Sequence, residues 1–237
     1  MVHNARFWAF YFRQVFKPQV KVLCETFTDR VLPAFDKIDQ EAEQYGQERW
    51  DRYMSMPAAD EDGLDAADLA EQANDAEIAH YEQLSAARQS ILNAAVVALY
   101  HLVEQQLIDF LRREILQRSE ENDARLLNLS ELARRLKQRG IELESLPAWP
   151  ALQELRLAAN VVKHAEGNSA EKLRTCRPDL FQYPPFRAEG EAPIPEPRVY
   201  MPLAGEDLYV TPGDLQSWCQ GLESVLGELA DKLEDQR

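Results

Sequence analysis

Ala94-Ala95-Val96-Val97-Ala98-Leu99-Tyr100-His101-Leu102-Val103-Glu104-Gln105-Gln106-Leu107-Ile108-Asp109-Phe110-Leu111-Arg112-Arg113-Glu114-Ile115 is the most hydrophobic run of the chain, and its reading decides the fold class. It is too long for a strand and holds no Gly or Pro, so it reads as a helix. Upstream of it, Ala66, Leu69, Ala73, Ala76, His80, Leu84, Ala87, Ile91, Ala94 or Ala95, and Ala98 recur at alternating spacings of three and four. Such spacing makes one apolar stripe, and its many alanines allow a facing helix to come close. Unbroken, residues 64–118 would extend on the order of 80 Å at ~1.5 Å per residue, which means a projecting hairpin arm or two helices. The 94–115 half is expected to be the central core helix of an all-α bundle.

Working outward, residues 7–53 read as helical, rich in Phe, Tyr and Trp and interrupted by Pro18 and Pro33. Proline lacks the N–H and clashes with the carbonyl four residues back, so a kink or break is expected at each. Pro57 to Gly63 reads as a break before the long helix. Asn128 or Ser130 can cap a short basic helix through Arg134, Arg135, Lys137 and Arg139, stopped by Gly140. Pro147 and Pro150 set up a helix from Ala151 to Ala165, closed by Gly167, and a further turn is expected around Lys172 to Arg174. Residues 177–205 are proline-rich and read as an extended loop. Within it, Arg198 to Leu203 and Asp207 to Thr211 flank Ala-Gly-Glu, a pattern that fits a small β-hairpin. Thr211-Pro212-Gly213-Asp214 then opens a last helix on Leu215, Trp218, Leu222, Leu226, Leu229 and Leu233. The expected organisation is one domain over 1–237. Residues 1–89 would form a helical extension with an acidic arm, and residues 90–237 the bundle core.

A chain of 237 residues with 45% hydrophobic content is long and apolar enough to bury a core without metal or disulfide staples. Its three cysteines, Cys24, Cys176 and Cys219, lie far apart with no CxxC pair, and reduced, buried thiols are expected. No apolar run approaches the ~18–20 residues that a membrane span needs, and the aromatic N-terminus carries Arg6, Arg13 and Lys17 among its rings. A cytoplasmic protein with no membrane association is the expectation. The net charge of −15 excludes a general nucleic-acid coat but leaves room for a small basic site on an acidic body. From Tyr53 to Ala87 there is no Lys or Arg, while Asp60, Glu61, Asp62, Asp65, Asp68, Glu71, Asp75, Glu77 and Glu82 fall inside. That run is a solvated helix face or a docking face for a basic partner.

Chemistry concentrates in Glu154-Leu155-Arg156-Leu157-Ala158-Ala159-Asn160-Val161-Val162-Lys163-His164-Ala165-Glu166-Gly167. Leu152, Leu155, Ala159 and Val162 form its apolar stripe. Arg156, Asn160 and His164, at i, i+4 and i+8, make a second face. A Lys-His pair before Gly also suits a helix end where the backbone dipole favours positive charge, which is the purely structural alternative. His80 and His101, on the long helix, are expected to be packed rather than ligating. No Gly-rich phosphate loop, HExxH helix or GxSxG turn occurs, so no metal or cofactor is implied.

The Asn160-x-x-Lys163-His164 segment resembles the signature helix of HEPN-superfamily proteins, a pattern of Arg, a polar residue, a short gap and His at the helix end. The 98–107 run, an apolar helix with Glu104 embedded, is also similar to that family, as is the closing stretch from Pro202 to Leu229. Where the pattern has Arg this chain has Ala159, and Arg156 is the nearest cation. What the resemblance implies is metal-independent RNA scission by a dimer in a bacterial toxin–antitoxin or anti-phage defence system. His164 would move the proton, Arg156 or Lys163 would stabilise the phosphorane and Asn160 would orient. Glu104 would support His164, and Lys172, Arg174 and Arg177 would form an RNA-binding rim. The alternative is a catalytically degenerate interaction or regulatory subunit with a protein partner from the same system.

Overall fold

A computed structural model describes residues 2–56, 65–183, 199–205 and 207–235. The chain opens with α1 (Ala5–Phe10) and α2 (Lys17–Thr26), joined by a π-helical segment, Tyr11–Phe16. A second π segment, Phe27–Val31, leads into a 3-10 turn, Leu32–Phe35. Pro18 and Pro33 thus each follow a π segment instead of breaking the chain's helical path. The wider π turn accommodates a ring that a regular helix would drive into the preceding carbonyl. α3 (Ile38–Ser55), α4 (Ala66–Phe110), α5 (Leu129–Lys137), α6 (Trp149–His164), α7 (Asn168–Cys176) and α8 (Pro212–Glu234) complete the set. The architecture is all-α. The expected break at Pro57 to Gly63 lies outside the described residues, as do Asp60, Glu61 and Asp62 of the acidic run.

α4 is one helix of 45 residues that continues through a π segment, Leu111–Ile115. Its start is fixed by a capping box. The Asp65 carboxylate accepts from the backbone N–H of Ala67 and Asp68, at 2.7 and 2.9 Å, and Asp68 answers on the Asp65 N–H. Its first half pairs with α3 as a two-helix arm. Gly46 permits that approach, because a Cβ there would lie 2.8 Å from the Cβ of Glu77. His80 is packed as expected, stacked on Tyr45 at 4.4 Å between ring centroids.

The second half of α4 is the bundle's axis and packs against α2, α5, α6 and α8. Leu92, Val96, Leu99, Val103, Leu107 and Phe110 are all buried there. Ala87, Ala94 and Ala98, part of the stripe read from the sequence, are exposed instead. The reason is geometric: spacings of three and four repeat every 3.5 residues on average. A straight helix turns every 3.6, so a 3.5 stripe drifts by ~20° per heptad away from the face it began on. By composition, Ala66–Ile115 also contains an 18-residue window apolar enough to cross a membrane, of which 44% is buried within the fold.

The N-terminal segment is a layer of the bundle. Trp8, Phe12 and Phe16 pack inward, with Trp8 and Phe12 at 4.9 and 5.4 Å from the Phe110 ring. α1 and α2 lie along α8. That contact brings Cys24 of α2 to Cys219 of α8, joined as a disulfide across a sequence separation of 195. The expectation of three reduced thiols is corrected accordingly. Spacing along a sequence carries no information on a pair made by tertiary packing, and the free cysteine is Cys176.

Among the described residues there is no strand, so the expected hairpin around Ala-Gly-Glu is replaced by a 3-10 turn, Pro202–Ala204; Arg198 and Glu206 lie outside the described set. The carbonyls that a ladder would use are taken by α4. The wholly buried Asn93 amide donates to the carbonyls of Pro202 and Leu208, and Gln89 donates to Val210 at 2.9 Å. Gly205, at φ 84°, sits 3.0 Å (as measured from an added Cβ) from the Ala86 carbonyl, so a side chain fits neither the backbone nor the space. Thr211 and Asp214 then form the capping box that starts α8.

Candidate functional site

α6 begins at Trp149-Pro150, with proline in the first turn where its missing N–H is harmless. Leu152, Leu155, Ala158, Ala159, Val161 and Val162 are buried, so the apolar side of α6 fixes which residues face α4. Ala159 lies wholly inside the core. An Arg there would have to bring its charge into an apolar environment, which explains structurally why the position is small. α8 crosses α6 closely at Gly221, where a Cβ would lie 2.4 Å from that of Ala151.

Between α4 and α6 the fold gathers a polar cluster. The Tyr100 hydroxyl donates to Glu104 Oε1 at 2.7 Å, and Lys163 Nζ lies 5.8 Å from the centre of the Tyr100 ring. Arg156 is close enough for its charge to act on the Tyr100 phenol. Burial first, and then the bond to Glu104, push that phenol well above its ordinary range, so Tyr100 remains a neutral donor. On the outer side of α4, His101 Nδ1 stands 4.0 Å from Glu104 Oε2. His101 is exposed, against the expectation that it would be packed.

The structure therefore unites Arg156, Lys163 and Glu104 around Tyr100. Asn160 is half-buried on the same side of α6, one turn from each cation. Arg156 Nε is buried and makes no hydrogen bond among the described residues. His164, the last residue of α6, is exposed and likewise has no hydrogen-bond or ion-pair partner among them. It is followed by Ala165 at φ 55° and ψ −115°, a conformation rare outside glycine, and by Gly167 at φ 137°. The chain thus turns sharply where the Lys-His pair ends. Arg156 and His164 are separated by about 12 Å along the helix axis at ~1.5 Å per residue.

The expected basic rim divides. Lys172 is exposed on α7. Arg174 forms a two-pronged bond to Glu166, at 3.1 and 2.7 Å, and covers the Phe181 ring at 4.8 Å. Arg177 is held by three carboxylates, Asp179, Asp214 and Glu154, which keep its guanidinium firmly charged and raise its already high pKa. Glu154 also accepts from the buried Trp218 indole at 2.8 Å. Arg177 is thereby a strut that ties α6 and α8 to the loop after α7.

Tyr100 is the participant that sequence reasoning passed over as part of the apolar helix. Its signal was the i, i+4 spacing to Glu104, a pair that meets on one helix face. Among the described residues, no group of three or more His, Cys, Asp or Glu is placed to hold a metal ion. Compared with known proteins, the chain matches no family model, no curated protein and no solved structure.

Proposed function

We propose that the polar cluster between α4 and α6 is an RNA-directed site and that the protein is a HEPN-like, metal-independent endoribonuclease of a toxin–antitoxin or anti-phage system, working as a dimer in the cytosol. The observation that carries this reading is the convergence of Arg156, Lys163 and Glu104 on Tyr100, with Asn160 between the two cations and the unpartnered His164 at the helix end. It is a small cationic patch on a chain of net charge −15, suited to one phosphodiester rather than a long duplex.

In the proposed reaction the RNA 2′-oxygen attacks the adjacent phosphorus, forming a P–O bond while the bond to the 5′-oxygen breaks. His164 takes the 2′-hydroxyl proton as base and returns it as acid to the leaving 5′-oxygen, so that the proton balance closes. Lys163 and Arg156 balance the charge that gathers on the phosphorane, and Asn160 orients the phosphate. Tyr100 and Glu104 position Lys163. The ~12 Å between Arg156 and His164 within one chain calls for a second copy, so that Arg156 of one meets His164 of the other.

Expression of the chain in a bacterial host is expected to arrest growth, and His164→Ala to abolish the arrest without lowering the protein level. Undiminished arrest by His164→Ala would sink the reading. A second reading, an interaction or regulatory subunit with a degenerate site, is favoured by one observation: Arg174 and Arg177 are engaged by Glu166, Glu154, Asp179 and Asp214 rather than presented to a substrate.

A further inference from the structure

The α3–α4 arm carries a groove that the α4–α6 site does not use. It is lined by Asp39, Ala42, Glu77, Ile78 and Tyr81, with a volume of about 190 Å³. Ile78 is 49% exposed and Tyr81 40%, so apolar surface stands open beside two carboxylates. Neither Asp39 nor Glu77 has an ion-pair or hydrogen-bond partner among the described residues. The groove is smaller than the ~300–1,000 Å³ typical of small-molecule pockets, and its size suits one or two side chains of a larger ligand.

We propose that this groove docks a basic amphipathic helix of a protein partner, which inserts an aliphatic side chain between Ala42, Ile78 and Tyr81 and sets Lys or Arg against Asp39 and Glu77. Charge decides the occupant. From Tyr53 to Ala87 the chain has no Lys or Arg, so the α4 side of the arm repels nucleic acid and anionic lipid alike. A second copy of this chain is poorly matched, because the cations of its basic helix, α5, and of the turn after it already bond within the fold. Arg134 and Arg135 pair with Glu131, Lys137 pairs with Glu142, and Arg139 donates to the Ile115 carbonyl. A helix laid along two helices by its apolar face is a common way to fill such a groove. The proposal holds whether or not the α4–α6 site cleaves RNA.

The test uses the full chain and a fluorescein-labelled synthetic peptide of about 18 residues, long enough to form a helix, with Leu on one face and Lys on the other. Controls are a scrambled peptide of the same composition and a version with Glu for Lys. Fluorescence polarisation at physiological salt is expected to show the amphipathic Lys/Leu peptide binding at least about tenfold more tightly than either control. The pair Ile78→Ser and Tyr81→Ser, both exposed and so compatible with folding, is expected to weaken it by about tenfold or more through lost apolar burial. Asp39→Asn with Glu77→Gln should weaken it several-fold, and more so at low salt. Equal binding of the scrambled peptide, unchanged binding by the Ile78/Tyr81 variant, or no binding at all would each overturn the proposal.

Discussion

The two halves of α4 form one uninterrupted helix and live in different surroundings. From Ala66 to Arg88 the only fully buried residue is Ala73, whereas from Leu92 to Phe110 the helix buries Leu92, Ala95, Val96, Leu99, Val103, Leu107 and Phe110 together with Asn93 and Tyr100. The arm seam is extensive but buries few side chains: Ile38, Ala42 and Gly46 of α3 against Ala73 and the Tyr45–His80 stack. Apolar burial scales with area, so the arm contributes little to global stability and keeps its register through continuity with the bundle. One helix can therefore serve as a core axis at one end and as an open surface at the other. The α4–α6 site belongs to the densely buried end.

The strongest way to break this contrast is to cut into each half. Phe110→Ala, which opens the aromatic cluster of Trp8 and Phe12, is expected to lower stability by about 3–5 kcal/mol in urea unfolding, whereas Ile78→Ser on the arm stays within about 0.5 kcal/mol. Equal losses would show that the arm is part of the same cooperative core.

The disulfide sharpens the same division. Thiol titration of the denatured, unreduced protein should find one reactive thiol, that of Cys176. Replacing Cys24 and Cys219 with Ser is expected to cost about 2–5 kcal/mol, because the bond closes a long loop in the unfolded chain. The loss should register as a lower unfolding midpoint and faster amide exchange in α2 and α8, with exchange in the α3–α4 arm unchanged. Three reactive thiols in the untreated protein would contradict the cross-link.

A finer comparison uses the same motif twice, since Asp65 caps α4 at the arm and Thr211 caps α8 in the bundle. Thr211→Ala should reduce global stability by ~1 kcal/mol. Asp65→Ala should instead raise amide exchange over the first turns of α4 and leave the global midpoint in place. A global loss from both would erase the distinction.

The smallest effect concerns acid. The bond from Arg134, aided by Arg135, holds the Glu131 carboxyl down at about 2, against 4.5 for a free glutamate. A depressed carboxylate stabilises the fold above its unfolded value, and that contribution is lost as pH falls through the folded one. Unfolding midpoints should therefore decline between about pH 4.5 and about 2. Glu131→Gln should flatten part of that slope, and an unaltered slope would remove Glu131 from the explanation.

Much of the fold was legible because it rests on local signals. The apolar 94–115 run, Gly140 closing the basic helix and the Thr211-Pro-Gly-Asp start of α8 each announce an element from neighbouring residues alone. What could not be read was set by contacts between distant segments. The 3.5-residue stripe leaves the buried face by its own drift. Cys24 meets Cys219 only because α2 lies on α8. Asn93, an unremarkable polar residue in sequence, takes the carbonyls that would have built a hairpin. At the candidate site, the shared face of Arg156, Asn160 and His164 on α6 was legible from their i, i+4 and i+8 spacing alone. The approach of Lys163 and Arg156 to Tyr100, and the capture of Arg177 by Glu154, Asp179 and Asp214, depended on tertiary packing.

The most direct test of the RNA-directed reading is to incubate purified wild-type protein and His164→Ala with single-stranded RNA and a tRNA pool in EDTA, and to map the products. The account predicts discrete cleavage by the wild type alone, leaving 2′,3′-cyclic phosphate ends. Absence of cleavage by the wild type, or equal cleavage by both proteins, would contradict it.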